Sequence, residues 1–497
     1  MTPLLLLLVS SAALAANLQL TVLHTNDIHG AISKRPDRKE TARLVVGAGA
    51  LAKAVARYAQ PGRTLLFDAG DWFQGTPEGG LTRGRPLAEM FNALKYDAVA
   101  LGNHEFDIGE GEFKALLAGL KAPVLAANIF LTGTDERPAY VRPFLIKKVG
   151  KLKVGVFGLL TIRMPTLSFE KNIAGLRFEG EAETAREMVS VLRAEGADVI
   201  IALTHIGVES KDRPFGDETL AAQAPGIDLI IGSHSHTYLF EPKVVGETLI
   251  VQAGTNLTHL GRAVLEYDPS SRKVVSRKGE VLKLWVDELG EDGAMKAMTR
   301  RYEQEVGRSL DVVIGSSTVS IVRARDQESG MGDWMTDCVR RWSKTQIAFQ
   351  NGGGVRADIL AGPVTLRTVF EVMPFDNYLV TLNMTGGQVR EVLERGVAGG
   401  IAMIQLSGAR FTYDPAAPAM RRVREALVGK EPLRENEVYS VSAPDFIVQG
   451  GDSYTSLAGG KDKAFTPVLI RDALGWCVRE TSPLVQPEGG RIRAATL

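Results

Sequence analysis

Five short clusters carry side chains that a hydrophobic core does not need. They are Asp27-x-His29, Gly70-Asp71, Gly102-Asn103-His104, His205, and Gly232-Ser233-His234-Ser235-His236. The chain has seven histidines, and five of them fall in these clusters; scattered structural histidines would not concentrate this way. Imidazole, carboxylate and amide donors together suit Zn, Mn, Fe or Co better than the all-oxygen shell of Ca or Mg. Two such ions, roughly 3.5–4 Å apart, can clamp a phosphate and activate a water between them. A carboxylate such as Asp71 can bridge the pair with its two oxygens. Taken singly, Asp-x-His or Gly-Asp is ordinarily a turn; the ordered set of five carries the signal. His24 and His259 are left over and read as a strand residue and a loop residue.

Each cluster must be positioned by something rigid, and the sequence supplies it. Leu18–Thr25, Arg63–Phe67, Tyr96–Leu101, Val124–Asn128, Lys153–Leu160, Asp198–Leu203, Ile227–Ile231 and Leu249–Gln252 read as strands. Ala48–Tyr58, Arg85–Leu94 and Ala182–Glu195 have helical spacing. Strands alternating with helices predict an α/β layered domain, and ligands gather at the carboxyl ends of strands in such sheets. The charged, helix-prone stretch 287–311 (helical over Met295–Val306) reads as a connector between residues 17–286 and a second, mixed α/β domain, 312–497.

The bulk numbers exclude some classes. The 497 residues are too many for one core. Lys+Arg and Asp+Glu are both 58, which gives no support for a nucleic-acid polymer as partner. Leu4–Val9 followed by Ala13-Leu14-Ala15 predicts a signal peptide over residues 1–16. The apolar run is far shorter than the ~20 residues of a membrane span, so a periplasmic or secreted protein without a membrane span is expected, monomeric or weakly oligomeric. Export permits a disulfide, but Cys338 and Cys477 can equally be buried free thiols.

In the second domain, Asn351-Gly352-Gly353-Gly354-Val355-Arg356 lets backbone approach a ligand, with an Arg fork for phosphate at its end. Arg323-Ala324-Arg325 lies upstream. Met373-Pro374-Phe375 and the run Asp445 to Asp452, with Phe446 and Gly450-Gly451-Asp452, lie downstream. The two phenylalanines can stack a planar base, although aromatic residues more often serve packing.

The five clusters resemble, in order, the calcineurin-like metallophosphatases, and specifically the exported 5′-nucleotidase / UDP-sugar hydrolase family. That resemblance implies a four-layer α-β-β-α sandwich, a connecting helix and a nucleotide-binding domain. It implies one metal on Asp27, His29, Asp71 and His236, and a second on Asp71, Asn103, His205 and His234. His104 matches the catalytic histidine and Asp107 the acid that orients it; as imidazolium, His104 would stabilise charge on phosphoryl oxygens. Glu105 has no part in the pattern and is expected to be structural. Arg325 and Arg356 match phosphate-contacting arginines, with Arg323 competing for the first role. Asn351 matches a base-contacting amide, Phe375 and Phe446 the pair that sandwiches the base, and Asp452 the ribose-binding acid. Since metals and base pocket lie in different domains, the resemblance also implies closure about the 287–311 connector.

The expected activity is phosphate release from nucleoside 5′-monophosphates by two divalent ions, extending to di- and triphosphates or UDP-sugars. The runner-up is a 2′,3′-cyclic-nucleotide phosphodiesterase with 3′-nucleotidase activity. A thiosulfohydrolase is more distant, and a binding module without turnover more distant still, since no ligand and neither member of the His-Asp pair is missing.

Overall fold

The computed structural model describes residues 16–37, 39–209 and 215–495; the signal-peptide segment lies almost entirely outside them. Two six-stranded sheets face each other in the first half of the chain. One runs in the order Lys273–Lys283, His259–Asp268, Leu18–Thr25, Thr64–Asp68, Ala98–Ala100, Val124–Leu125. The other runs Lys243–Val245, Thr248–Val251, Leu229–Ile231, Val199–His205, Leu152–Leu160, Phe144–Val149. The central strands of both pair in parallel. They read as continuous apolar runs because both faces are covered.

Strand periodicity divides those runs. Leu20, Val22, Leu65 and Phe67 point between the sheets, where they meet Val154, Val156, Val199, Ile201 and Leu203. Leu23, Leu66 and Val99 point outward onto a helical layer containing Leu51, Leu87 and Phe91. Ile200, Ala202 and Ile230 do the same on the opposite side with Met188, Leu192 and Leu220. These are the four layers α-β-β-α. Each fully buried side chain of this kind contributes roughly 1.5–3 kcal/mol.

Two differences from the sequence reading stand out. The hairpin His259–Asp268/Lys273–Lys283 was not expected, and it completes the first sheet antiparallel to Leu18–Thr25. His259 therefore opens a strand rather than lying in a loop. The connector helix spans Gly293–Leu310, capped by Asp292, which accepts from the amides of Ala294 and Met295. Met295, Met298 and Tyr302 are buried in the first domain's outer cluster, so this helix belongs to that domain's helical layer. Among the described residues no helix is long and apolar enough to cross a membrane.

The second half is built on a mixed five-stranded sheet: Ile404–Ser407, Ile347–Asn351, Val438–Pro444, Tyr378–Thr385, Lys461–Leu469. Helix Gly386–Val397 packs on one face, and helices Gly330–Ser343 and Ile470–Thr481 on the other. Cys338 and Cys477 join these last two helices in a disulfide spanning 139 residues of sequence. Replacing both cysteines with serine is expected to cost about 2–4 kcal/mol, because the crosslink closes a long loop in the unfolded chain. Urea unfolding of the oxidised protein and the double variant measures this. An unchanged midpoint would show that the bond contributes nothing.

Candidate metal centre and adjoining cleft

The parallel strands Leu18–Thr25 and Thr64–Asp68 end level with each other, with Thr25 opposite Asp68. Their following loops run on together: the Asp27 amide donates to the Gly70 carbonyl at 2.9 Å and the His29 amide to the Asp71 carbonyl at 3.0 Å. Five side chains emerge from left-handed backbone: Asp27, His29, Asp71, His234 and His236, with φ of 48°, 51°, 59°, 69° and 57°. Non-glycine residues seldom adopt that region. Its concentration at these loops turns their side chains inward to one point. Gly102 lies against them; a Cβ there would come within 2.1 Å of Asp71 Oδ1.

Two overlapping sets of donors result, each with ligand atoms within 4.8 Å of one another: Asp27, His29, Asp71 and His236, and Asp71, His205 and His234. Asp71 belongs to both. Asn103 Oδ1 completes the second set, 3.2 Å from His205 Nε2 and 3.0 Å from His234 Nδ1. The hydrogen-bond partners fix the imidazole tautomers. His29 Nδ1 faces the Gln74 carbonyl at 2.7 Å and His205 Nδ1 the Ala69 carbonyl at 3.1 Å, so both carry their proton there and aim Nε2 inward. His29 Nε2 lies 3.0 Å from His236 Nε2, and His205 Nε2 3.2 Å from Asp71 Oδ2. These atoms crowd together in a buried space within reach of a single ion, and the donor types suit divalent transition metals.

The electrostatics agree. Burial first, and Arg356 or neighbouring histidine charge second, hold His29 and His236 well below the ordinary imidazole range, leaving neutral ligands. At His205 burial is outweighed by the Asp71 charge, which pushes the imidazole up to about 9. The carboxylate thus demands positive charge at that nitrogen, which a proton or a metal ion supplies. Asp27 is pushed up to about 6, mainly by burial. It is held in place by Asn26 Nδ2 at 2.7 Å and Ser233 Oγ at 2.8 Å.

His104 stands beside the donors. Its Nδ1 donates to Asp107 Oδ2 at 2.6 Å, and its Nε2 is 4.0 Å from Asp71 Oδ2. Burial would lower the imidazole, but the Asp107 and Asp71 charges outweigh it and raise the pKa. Glu105 turns away from the cavity. Fully buried, it accepts from the amides of Asp71, Trp72 and Gly102 at 3.0, 2.8 and 2.7 Å. It is structural, as the sequence suggested, and it ties the two loops carrying Asp71 and Asn103. Its spacing to Gly102 gave no hint of the contact with residues 71 and 72.

A cavity of about 260 Å³ opens over these groups and is walled on its far side by the second domain. Asp71, Asn103, His104, Asp107, His234 and His236 line one end, and Arg325, Asn351, Arg356, Phe375, Phe446 and Asp452 line the remainder. Arg325, and not Arg323, faces it. Arg356 Nη2 reaches to 3.2 Å from His29 Nε2. Asn351 Nδ2 donates to Asp452 Oδ2 at 2.7 Å. Phe375 also reaches the first domain, stacking on His104 with ring centroids 5.4 Å apart. Among the lining residues that the sequence reading did not single out are Arg163 and Phe169; they flank the short helix Met164–Leu167, whose sequence has no motif.

Comparison with known proteins gives a consistent result. The family model for calcineurin-like phosphoesterases matches residues 20–238, and that for the 5′-nucleotidase C-terminal domain matches residues 309–459. A snake venom 5′-nucleotidase from Naja atra is 30% identical over 95% of this chain and 98% of its own. The crystal structure of a 5′-nucleotidase precursor from Thermus thermophilus is 31% identical, with a TM-score of 0.87 over 96% of this chain and 99% of that one. A sulfate thiohydrolase from the same species has a TM-score of 0.84 over 96% of each chain, but at 21% identity this likeness shows the fold alone.

The Glu105 contacts generate a test. Glu105→Ala is expected to weaken metal binding about 10–100-fold, in the range of changes behind a ligand shell, although Glu105 offers no ligand atom. Metal content per chain after dialysis against buffered free metal reads this out. Full retention would show that the loops hold without it.

Proposed function

Because the chain belongs to the 5′-nucleotidase family of metal-dependent phosphomonoester hydrolases, we propose that it releases phosphate from nucleoside 5′-monophosphates after export to the periplasm or beyond the cell. The observation that carries this reading is the single cleft, with metal-donor groups at one end and aromatic, amide and carboxylate groups at the other. One ion is assigned to Asp27, His29, Asp71 and His236, the other to Asp71, Asn103, His205 and His234. When bound, they supply positive charge to the phosphoryl oxygens and acidify an attacking water.

The remaining work falls to this chain's own side chains. Arg356, beside His29, and Arg325 hold the phosphoryl oxygens with guanidinium forks. His104, oriented by Asp107, whose charge favours the imidazolium form, donates from Nε2 to charge developing in the transition state. Phe375 and Phe446 flank the base, Asn351 contacts its edge, and Asp452 accepts from the ribose hydroxyls. Residues 17–286 with the Gly293–Leu310 helix form the metal-bearing domain, and the chain from 312 onward the nucleotide domain. Di- and triphosphates or UDP-sugars extend the substrate range wherever the terminal phosphate reaches the same donors.

Phosphate release from AMP, 3′-AMP and 2′,3′-cyclic AMP, measured after chelation and metal add-back, tests the reading; AMP is expected to be preferred and activity to return with metal. A strong cyclic preference would replace it with the phosphodiesterase reading. His104→Ala is expected to keep its metal and lose about 10²–10⁴-fold in kcat, the range for a positioned acid or charge stabiliser.

A further inference from the structure

Arg163 and Phe169 line the cleft but have no part in the scheme above. Both follow strand Leu152–Leu160 and so belong to the metal-bearing domain, yet both engage the other one. Arg163 Nη1 donates to the Gly400 carbonyl at 3.4 Å. Phe169 meets Phe446 edge to face, with centroids 5.8 Å apart and planes at 87°. The short helix Met164–Leu167 between them packs on the turn Gly451–Ser453 that carries Asp452.

The neighbouring cation differs. Arg395 directs Nε to the Asp452 carbonyl at 3.1 Å and Nη1 to the Gly399 carbonyl at 3.5 Å, so its role is to hold the loop backbone. Arg163 makes one long contact from a group with five N–H donors and no acceptor, and it faces the cleft. Its charge also reaches Asp452, whose carboxyl is pushed up by burial while Asn351, Arg395 and Arg163 work against that. An arginine so placed selects ligand atoms that accept hydrogen bonds. An edge-on ring against Phe446 fixes the plane on which a base can lie.

We propose that Arg163 and Phe169 are specificity-determining residues for the nucleoside half of the substrate, Arg163 donating to acceptor atoms of the ribose or base and Phe169 bracing Phe446. This rests on the 5′-nucleotidase reading. Nucleoside recognition is then shared by both domains, and a nucleoside held at one end draws the metal-bearing domain onto the other.

The test uses the metal-loaded full chain and product inhibition of AMP hydrolysis by adenosine, 2′,3′-dideoxyadenosine and inorganic phosphate. Wild-type hydrolysis of AMP is the first measurement, and its failure would sink the underlying reading rather than this one. In Arg163→Ala the inhibition constant for adenosine is expected to rise about tenfold, as for loss of a charged hydrogen bond, with that for phosphate unmoved. An equal loss for the dideoxynucleoside assigns the contact to the base; a smaller one assigns it to the ribose. An unchanged adenosine constant, or an equal rise for phosphate, would overturn the proposal. Arg163→Gln carries the same test should the alanine variant fold poorly, and Phe169→Leu is expected to weaken adenosine alone.

Discussion

A buried carboxylate at the meeting point of two sheets sets the terms for the whole first domain. Asp71 is 1% exposed, and taking such a charge out of water costs several kcal/mol unless it is compensated. Its surroundings are the compensation. The His104 amide donates to Oδ1 at 3.0 Å, and His205 Nε2 stands 3.2 Å from Oδ2. Glu105 holds the Asp71 amide from behind, and Gly102 leaves the space that any side chain would take from Oδ1. Backbone bonds and Glu105 draw these loops together, and the Asp71 carboxylate at their centre gives the pocket its demand for cationic charge.

The second domain answers this charge from the opposite wall. Arg356 points at the donor cluster, Phe375 covers His104, and Gln74 Nε2 donates to the Pro374 carbonyl at 3.1 Å. Further out, Arg367 pairs with Glu78 of the first domain and with Asp311 at the end of the connector helix. The cleft is therefore bounded by two separately cored bodies that meet through polar groups and a few aromatic rings. That division places the metal-donor groups and the aromatic and amide groups on different bodies of the chain.

Much of this was legible in the sequence because the signals were local. Helices Ala48–Tyr58 and Arg85–Leu94 appear at the expected residues, since their apolar stripes are regular. The donor residues stand out in the sequence because each follows an apolar run, and the fold gathers them at one point. Strand Tyr96–Leu101 contracts to Ala98–Ala100, where the chain leaves the sheet to place Asn103. What escaped notice depends on distance in the fold. The hairpin at 259–283 pairs across more than two hundred residues with Leu18–Thr25. Glu105 gains its partners only when two loops meet, and Arg163 gains its meaning only when two domains do. The cysteine pairing was undecidable for the same reason: spacing alone does not bring helices 330–343 and 470–481 side by side.

The left-handed backbone at Asp27, His29, Asp71, His234 and His236 has a consequence for how such a protein responds to laboratory evolution. Each position carries roughly 1–3 kcal/mol of conformational cost, which glycine would relieve. A library selected only for heat resistance would be drawn toward glycine at these clustered donors, and so away from the side chains on which the proposed activity rests. Thermostability and turnover have to be screened together in this scaffold, because part of its backbone strain sits at the clustered donor residues.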